Sequence, residues 1–281
     1  MITRYINGRE IAADIHDEVK DEIEHEKLDL GLAAVLVGND EASHIYVRLK
    51  ERAAKRDGIR FERITLPSTT AQGELLSVIE ELNDRDDIHA ILIQLPLPKQ
   101  IDADEVILSI DPAKDVDGFH PVNVDRFIAG QSAVPPVLTQ AIVAMLESTN
   151  EKLDGRHAIV VANSPALFAP PVSAALSPLN VTTDWTKIDA SDYKERLKSA
   201  DIVIVALGKP GSINKEMIKD GAILIDIGTT KVDGKVVGDV DPNVDNHASW
   251  RSPVPGGIGP VTVATLMKNV LTCYRKQENR L

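Results

Sequence analysis

Tyr46 and Lys50 stand four residues apart in the segment Ala42-Ser43-His44-Ile45-Tyr46-Val47-Arg48-Leu49-Lys50. On a helix this spacing puts a phenol and an amine on one face, within reach of one ligand. A surface tyrosine with a lysine stem across it is the plainer account of the same pair. Gln94 follows the apolar run Ala90–Ile93 and opens Leu95-Pro96-Leu97-Pro98. Its carboxamide can cap a strand or hold a neighbouring amine. Asp117 sits in Lys114-Asp115-Val116-Asp117-Gly118-Phe119-His120-Pro121. Before Gly118 it can make a turn; ionised, it can accept hydrogen bonds from the N–H groups of a heterocycle. Near the C-terminus, residues 252–260 contain three glycines and three prolines, a density that excludes regular helix and strand. Pro253, Pro255, Gly256 and Gly257 there can form an inter-domain hinge, a wall that a ligand approaches closely, or both.

The elements that must position these groups are legible in the hydrophobic pattern. Ile11, Ile15, Val19 and Ile23 recur at helical spacing. The run Leu32 to Val37, closed by Gly38-Asn39-Asp40, reads as a buried strand and a turn. A helix over Ala42 to Arg56 follows, stopped by Asp57-Gly58, then a strand over Phe61 to Leu66, a helix over Gln72 to Asn83 and the strand Ala90 to Ile93. A second series begins after Gly155. It has strands at Ala158 to Val161, Val181 to Thr183, Ile202 to Ala206 and Ala222 to Ile227, and helices from Pro170-Pro171 to Leu176 and over Tyr193 to Ser199. Strands apolar on both faces, alternating with helices, predict an α/β chain of two doubly wound domains with mostly parallel sheets. Right-handed crossovers then gather the loops after the strands on one edge of each sheet. The boundary is expected near Pro135-Pro136 and the helix Thr139 to Glu147, giving domains 1–138 and 139–260. The last helix, about Val261 to Arg280, is expected to pack, within 261–281, back on the first domain.

At 281 residues with 43 % hydrophobic side chains, the chain can build two cores. Aromatics are only 4 %, so those cores rest on Ile, Val, Leu and Ala. A formal net charge of −12 without a basic tract argues against nucleic acid. The single Cys273 cannot form an internal disulfide, which fits a reducing compartment. Met1-Ile2-Thr3-Arg4-Tyr5 has no signal-peptide pattern and no apolar run is long enough to cross a bilayer, so the cytoplasm is the expected location, with no membrane partner.

Taken together, Tyr46…Lys50, Ile93-Gln94-Leu95-Pro96-Leu97-Pro98, Lys114 to Pro121 and Pro253 to Pro260, with Val237-Gly238-Asp239-Val240, resemble the motifs of the bifunctional methylenetetrahydrofolate dehydrogenase/methenyltetrahydrofolate cyclohydrolases, in the same order and over essentially the whole chain. The resemblance implies a folate cleft between two domains, the second Rossmann-like. It implies Lys50 as general acid/base of the cyclohydrolase step, Tyr46 stacking on the folate, Gln94 tuning Lys50, Asp117 anchoring the pterin and the Pro253–Pro260 loop as a wall. Physics agrees: a lysine in a dry site, its pKa brought down, can move protons between nitrogen and oxygen. The resemblance further implies tetrahydrofolate derivatives as ligands, NADP as cofactor, and a homodimer paired through the cofactor domain.

The cofactor half departs from the family pattern. A Gly-x-Ser-x-x-Val-Gly-x-Pro loop reads Ala162-Asn163-Ser164-Pro165-Ala166-Leu167-Phe168-Ala169-Pro170, with no cation for a 2′-phosphate at Asn163 or Ala169. Phe168 stands where a glycine would admit the dinucleotide. A Cys-His-Ser segment reads Thr183-Asp184-Trp185, where Asp184 would repel a 2′-phosphate that it faced, and Pro-Cys-Thr-Pro reads Pro136-Val137-Leu138-Thr139-Gln140. Gly208-Lys209-Pro210 and Asp226-Ile227-Gly228 keep the family's form beside the nicotinamide site. The cofactor residues expected are therefore Ala162, Asn163, Ser164, Gly208 and Gly228, with NADP as cofactor and NAD as the other candidate. Three readings follow: the full bifunctional enzyme, a cyclohydrolase that has lost the dehydrogenase step, and a non-catalytic folate-binding protein on the same scaffold. No metal-ligand spacing, phosphate-binding Gly-x-x-x-x-Gly-Lys loop or Ser/His/Asp arrangement supports another chemistry.

Overall fold

The computed structural model describes residues 2–278. In chain order the elements are β1 (Arg4–Tyr5), α1 (Gly8–Glu26), β2 (Gly31–Val37), α2 (Glu41–Arg56), β3 (Arg60–Leu66), α3 (Gln72–Asp84), β4 (Ala90–Ile93), α4 (Ala103–Leu108), α5 (Pro121–Ile128) and α6 (Val137–Glu147). They continue as β5 (His157–Ala162), α7 (Pro165–Leu176), β6 (Thr182–Thr186), α8 (Tyr193–Ser199), β7 (Ile202–Ala206), β8 (Ile223–Asp226), β9 (Thr230–Val232), β10 (Lys235–Val237), β11 (Trp250–Arg251) and α9 (Ile258–Glu278). Residues 279–281, which the expected last helix includes, lie outside the described residues.

The chain forms two compact units. One comprises Ala13–Val137 with the chain from Val263 onward; the other comprises the residues up to Ala12 with Leu138–Thr262. In the first unit β3, β2 and β4 pair in parallel. The continuous apolar run of β2 follows from burial on both faces. Leu32, Ala34 and Leu36 pack with α1, α2 and α9, through Val19, Ile23, Val47, Met267 and Val270. Ala33, Val35 and Val37 pack against α3 and α4, through Leu75, Ile79 and Val106.

The second unit carries a parallel sheet in the order β1-β11-β8-β7-β5-β6. Its β9–β10 hairpin turns at Asp233-Gly234, both with positive φ, as such a two-residue loop requires. Here the expected domain 1–138 needs correction. Residues up to Ala12 belong with the cofactor unit, because Arg4 and Tyr5 pair with Trp250 and Arg251 at the sheet edge. Side chains fix that pairing. Thr3 donates to the Ala248 carbonyl at 2.6 Å, and the Arg4 guanidinium lies 4.1 Å over the Trp250 ring while bonding Glu151 at 2.6 Å. A two-residue strand is too short to leave a periodic pattern. The helix expected from Pro170 starts earlier, at Pro165, since proline at the first helical position needs no N–H donor.

Candidate active site

In the first unit, α2 carries the pair of interest. Asp40 caps its N-terminus, accepting from the Ser43 N–H and hydroxyl, both at 2.8 Å. Its C-terminus is tied down by the His16–Asp57 contact at 2.5 Å. Ser43, Val47 and Ala54 form the buried stripe of α2. That leaves Tyr46 exposed and Lys50 half-buried on the neighbouring face. Lys50 Nζ donates to Gln94 Oε1 at 3.1 Å, and Gln94 Nε2 donates to the Leu95 carbonyl at 2.7 Å. Gln94 is buried and its own N–H continues the sheet onto the Val35 carbonyl. The carboxamide is therefore fixed with its oxygen towards the amine and adds no charge there. Burial pushes the Lys50 pKa down, against the pull of Asp117. Burial pushes Asp117 up to about 6; the Lys50 charge opposes this and Asp115 adds to it. A depressed lysine and an elevated acid that sense each other's charge mark a candidate site.

The loop that presents Asp117 is braced on every side. Ile91 donates to the Lys114 carbonyl and accepts from Val116, so the loop extends the sheet beside β4. Lys114 Nζ donates to the carbonyls of Leu82, Asn83 and Arg85 at the end of α3, where a cation suits the helix terminus. Asp115 accepts from the His120 N–H at 2.8 Å and from Asn123 at 3.0 Å. Asn269, fully buried on α9, donates to the carbonyls of Val116 and Pro135. Gly118 has φ +70°, and a methyl there would lie 2.7 Å from the Pro135 carbonyl carbon. Among the described residues the Asp117 carboxylate, unlike that of Asp115, accepts no hydrogen bond. Lys114 and Asp115 are spent on architecture.

In the second unit, β6 lies on one side of β5 and β7 on the other, all parallel. The chain reverses direction across the sheet at β5, and the crevice beyond the carboxyl ends of β5 and β7 is where such sheets take ligands. Ala162, Asn163 and Ser164 end β5 there, and Gly208 follows β7. Asn163 Nδ2 donates to the Leu207 carbonyl at 2.9 Å, joining the two loops. Gly208 has φ +63° with nothing within 4 Å of a would-be Cβ, so space is open beside it. Ser164 makes no capping bond and directly precedes α7, whose N-terminus favours an anion. Ala162 is buried without needing the missing glycine. These residues fit a dinucleotide. Asp184 is not a free charge: Arg196 of α8 bonds it at 2.5 Å. Burial pushes its carboxyl up, but that bond and the Trp185 N–H outweigh burial and hold it below the usual range. The repulsion expected from Asp184 is thus largely neutralised.

Two family models together match most of the chain. Residues 6–117 match the catalytic domain of tetrahydrofolate dehydrogenase/cyclohydrolase, and residues 136–278 match its NAD(P)-binding domain. The chain belongs to the tetrahydrofolate dehydrogenase/cyclohydrolase family. The bifunctional protein FolD of Methanococcoides burtonii is 43 % identical over 279 residues, covering 98 % of this chain and 97 % of that protein. The bifunctional methylenetetrahydrofolate dehydrogenase/cyclohydrolase of Campylobacter jejuni superposes with a TM-score of 0.92 at 34 % identity, covering 99 % of this chain and 100 % of that one. The Trypanosoma brucei enzyme, solved with NADP cofactor and inhibitor, gives 0.91 at 33 % identity, with 99 % of each chain covered.

In this dehydrogenase/cyclohydrolase chain two buried carboxylates shape the loops after β7 and β8. Asp239, fully buried, accepts from the N–H groups of Leu207, Gly208 and Lys209 at 2.6, 3.0 and 2.6 Å. Asp226 accepts in turn from Gly228, Asp239 and Val240. Gly228 and Gly238 are glycine because carboxylates occupy the space of a Cβ. At Gly228 it would lie 2.3 Å from Asp239 Cγ, and at Gly238 2.0 Å from Asp226 Oδ2. Gly238→Ala is expected to destabilise the protein by about 3 kcal/mol through overpacking, read as a lowered thermal midpoint. Pro253, Pro255, Gly256 and Gly257 lie in this same unit, in the loop between β11 and α9. Gly8 of α1 presses on that loop so closely that a methyl there would sit 1.9 Å from the Gly257 carbonyl oxygen. Asn269, the backbone bonds that Asp226 accepts and the Asn163 link escaped the reading of the sequence. Asn269 had a cue, an amide within the apolar stripe of α9.

Proposed function

We propose that the protein oxidises methylenetetrahydrofolate with NADP and then hydrolyses the methenyl product to 10-formyltetrahydrofolate. The observation that carries the hydrolytic half is the Lys50–Gln94 bond beside a half-buried Asp117. Full-length kinship with bifunctional relatives carries both halves. Tyr46, on the same face of α2 as Lys50, stacks on the folate. Asp117 accepts from the pterin N–H groups through charge-assisted bonds. Lys50 takes a proton from the water that adds to the methenyl carbon and returns one to nitrogen as the ring opens. Gln94 orients the amine throughout. The loop of Pro253, Pro255, Gly256 and Gly257 walls the folate. In the second unit Ala162, Asn163, Ser164, Gly208 and Gly228 hold NADP, which supplies the hydride acceptor when bound. What those residues contribute to oxidation is position. The reading extends to a cytoplasmic homodimer paired through the second unit, which sedimentation of the purified protein tests.

The test of function supplies methylenetetrahydrofolate with NADP or NAD in parallel. Reduction of NADP, faster than of NAD, followed by loss of the methenyl product, is the expected result. Reduction of neither, with methenyltetrahydrofolate still consumed, would leave a cyclohydrolase alone.

A further inference from the structure

Asn269, Cys273 and Gln277 stand at successive four-residue steps of α9 and so share one face of it. That face runs along the segment that ends in Asp117. At the start of the segment, Gln277 Nε2 donates to the carbonyls of His89 at 2.8 Å and Ala113 at 3.4 Å. At its end, Asn269 Nδ2 donates to the Val116 carbonyl at 2.8 Å and to the Pro135 carbonyl at 2.9 Å. Cys273, fully buried, occupies the step between the two amides. The two carbonyls that Asn269 holds flank Asp117. Val116 precedes it in the chain, and the Pro135–Pro136 peptide lies against Gly118, which follows it. The Asp117 carbonyl in turn accepts from the Val137 N–H at 3.1 Å. An amide nitrogen carries two protons, and here each one ties down a different stretch of chain beside the same acid. All of these residues belong to one compact unit. The Asp117 carboxylate accepts no hydrogen bond among the described residues, so its direction is set through the backbone that carries it.

We propose that Asn269 is the positioning residue for Asp117, holding residues 116–118 in the conformation that aims the carboxylate at the pterin. This rests on the reading of Asp117 as the pterin anchor given above. In this role Asn269 touches no substrate; it acts through the Val116 and Pro135 carbonyls. Both ends of the frame are buried, so a shift of the loop would leave polar groups unpaired inside the protein. A carboxylate displaced by about 1 Å keeps its charge but loses the alignment on which bonds to a rigid heterocycle depend. Such a bond forms equally in ground and transition states, and its loss therefore falls on KM rather than kcat.

The experiment is a double-mutant cycle on the full-length protein: wild type, Asn269→Leu, Asp117→Asn and the double variant. Leucine keeps the branched shape of asparagine and removes its donors. Alone, Asn269→Leu is expected to lower kcat/KM for methylenetetrahydrofolate about tenfold, through KM, with the KM for NADP kept. In the Asp117→Asn background it should cost nothing further, because the carboxylate it positions is gone. The acid limb of kcat/KM, at about 6 in wild type, should move down in Asn269→Leu as the loosened carboxyl gains water. Asn269→Gln keeps the amide on a longer stem. Its loss should be smaller than that of Asn269→Leu, and it supplies the same cycle if the leucine variant does not fold. Equal losses in both backgrounds, or an unmoved acid limb, overturn the proposal and make Asn269 a residue of the core, with the functional reading intact. An Asp117→Asn variant as active as wild type overturns the pterin reading, and the proposal with it.

Discussion

Lys50→Met is expected to lower hydrolysis of methenyltetrahydrofolate by about 10³-fold, the scale of a lost general acid–base group. Methionine keeps the length and apolar stem of the lysine, so Val47 and the buried face of α2 are undisturbed. What disappears is the amine held 3.1 Å from Gln94 Oε1. Hydride transfer should fall much less, because the protein contributes position to that step and the cofactor contributes the chemistry. The check is to follow both steps in the same preparation, with NADP reduction and methenyl loss recorded separately. Hydrolysis that persists at the wild-type rate would remove Lys50 from the role of proton carrier. Equal loss of both steps would instead make Lys50 a residue for binding the folate.

The reading of the first unit from sequence succeeded where side chains repeat. The β2 run, the helical spacing before it and the Tyr46–Lys50 interval each reflect a period imposed by burial, and each element formed where its pattern lay. Gln94 was legible as a polar group ending an apolar strand, although its choice of partner was not, since Lys50 is 44 residues away. The same limit explains the rest. β1 and β11 have two residues each, too few for a period. β6 reads Thr182-Thr183-Asp184-Trp185-Thr186 and faces solvent at the sheet edge, so its polarity hid it in part. Asp226 and Asp239 stand in segments that match the family, but what they hold is visible only once the fold brings backbone N–H groups around each one. The altered phosphate loop taught a related lesson. Loss of glycine at Ala162 and above all at Phe168 reads as damage in a string of letters, while in the sheet the crevice is set by the strand order around β5 and the open space beside Gly208.

Asp117→Asn should separate binding from folding. The folded carboxyl titrates at about 6, raised by burial and by Asp115 against the opposing charge of Lys50. Only the ionised form accepts from pterin N–H groups with the strength of a charged bond. In wild type, kcat/KM should therefore fall as pH drops through about 6, and in Asp117→Asn that limb should vanish. At neutral pH the substitution replaces a charge-assisted acceptor by an amide that offers the pterin a donor. A loss of about 10²-fold in kcat/KM follows from the free energy of a hydrogen bond to a charged group. Stability should move the other way. A carboxyl whose pKa is higher folded than unfolded contributes stability below the unfolded value near 3.8 and forfeits it as pH rises through about 6. At neutral pH the ionised Asp117 is thus a burden on the fold, and Asp117→Asn should keep or raise the thermal midpoint while activity falls. A lowered midpoint together with an unchanged pH limb would mean that Asp117 braces the loop as Asp115 does, and that the pterin is held elsewhere.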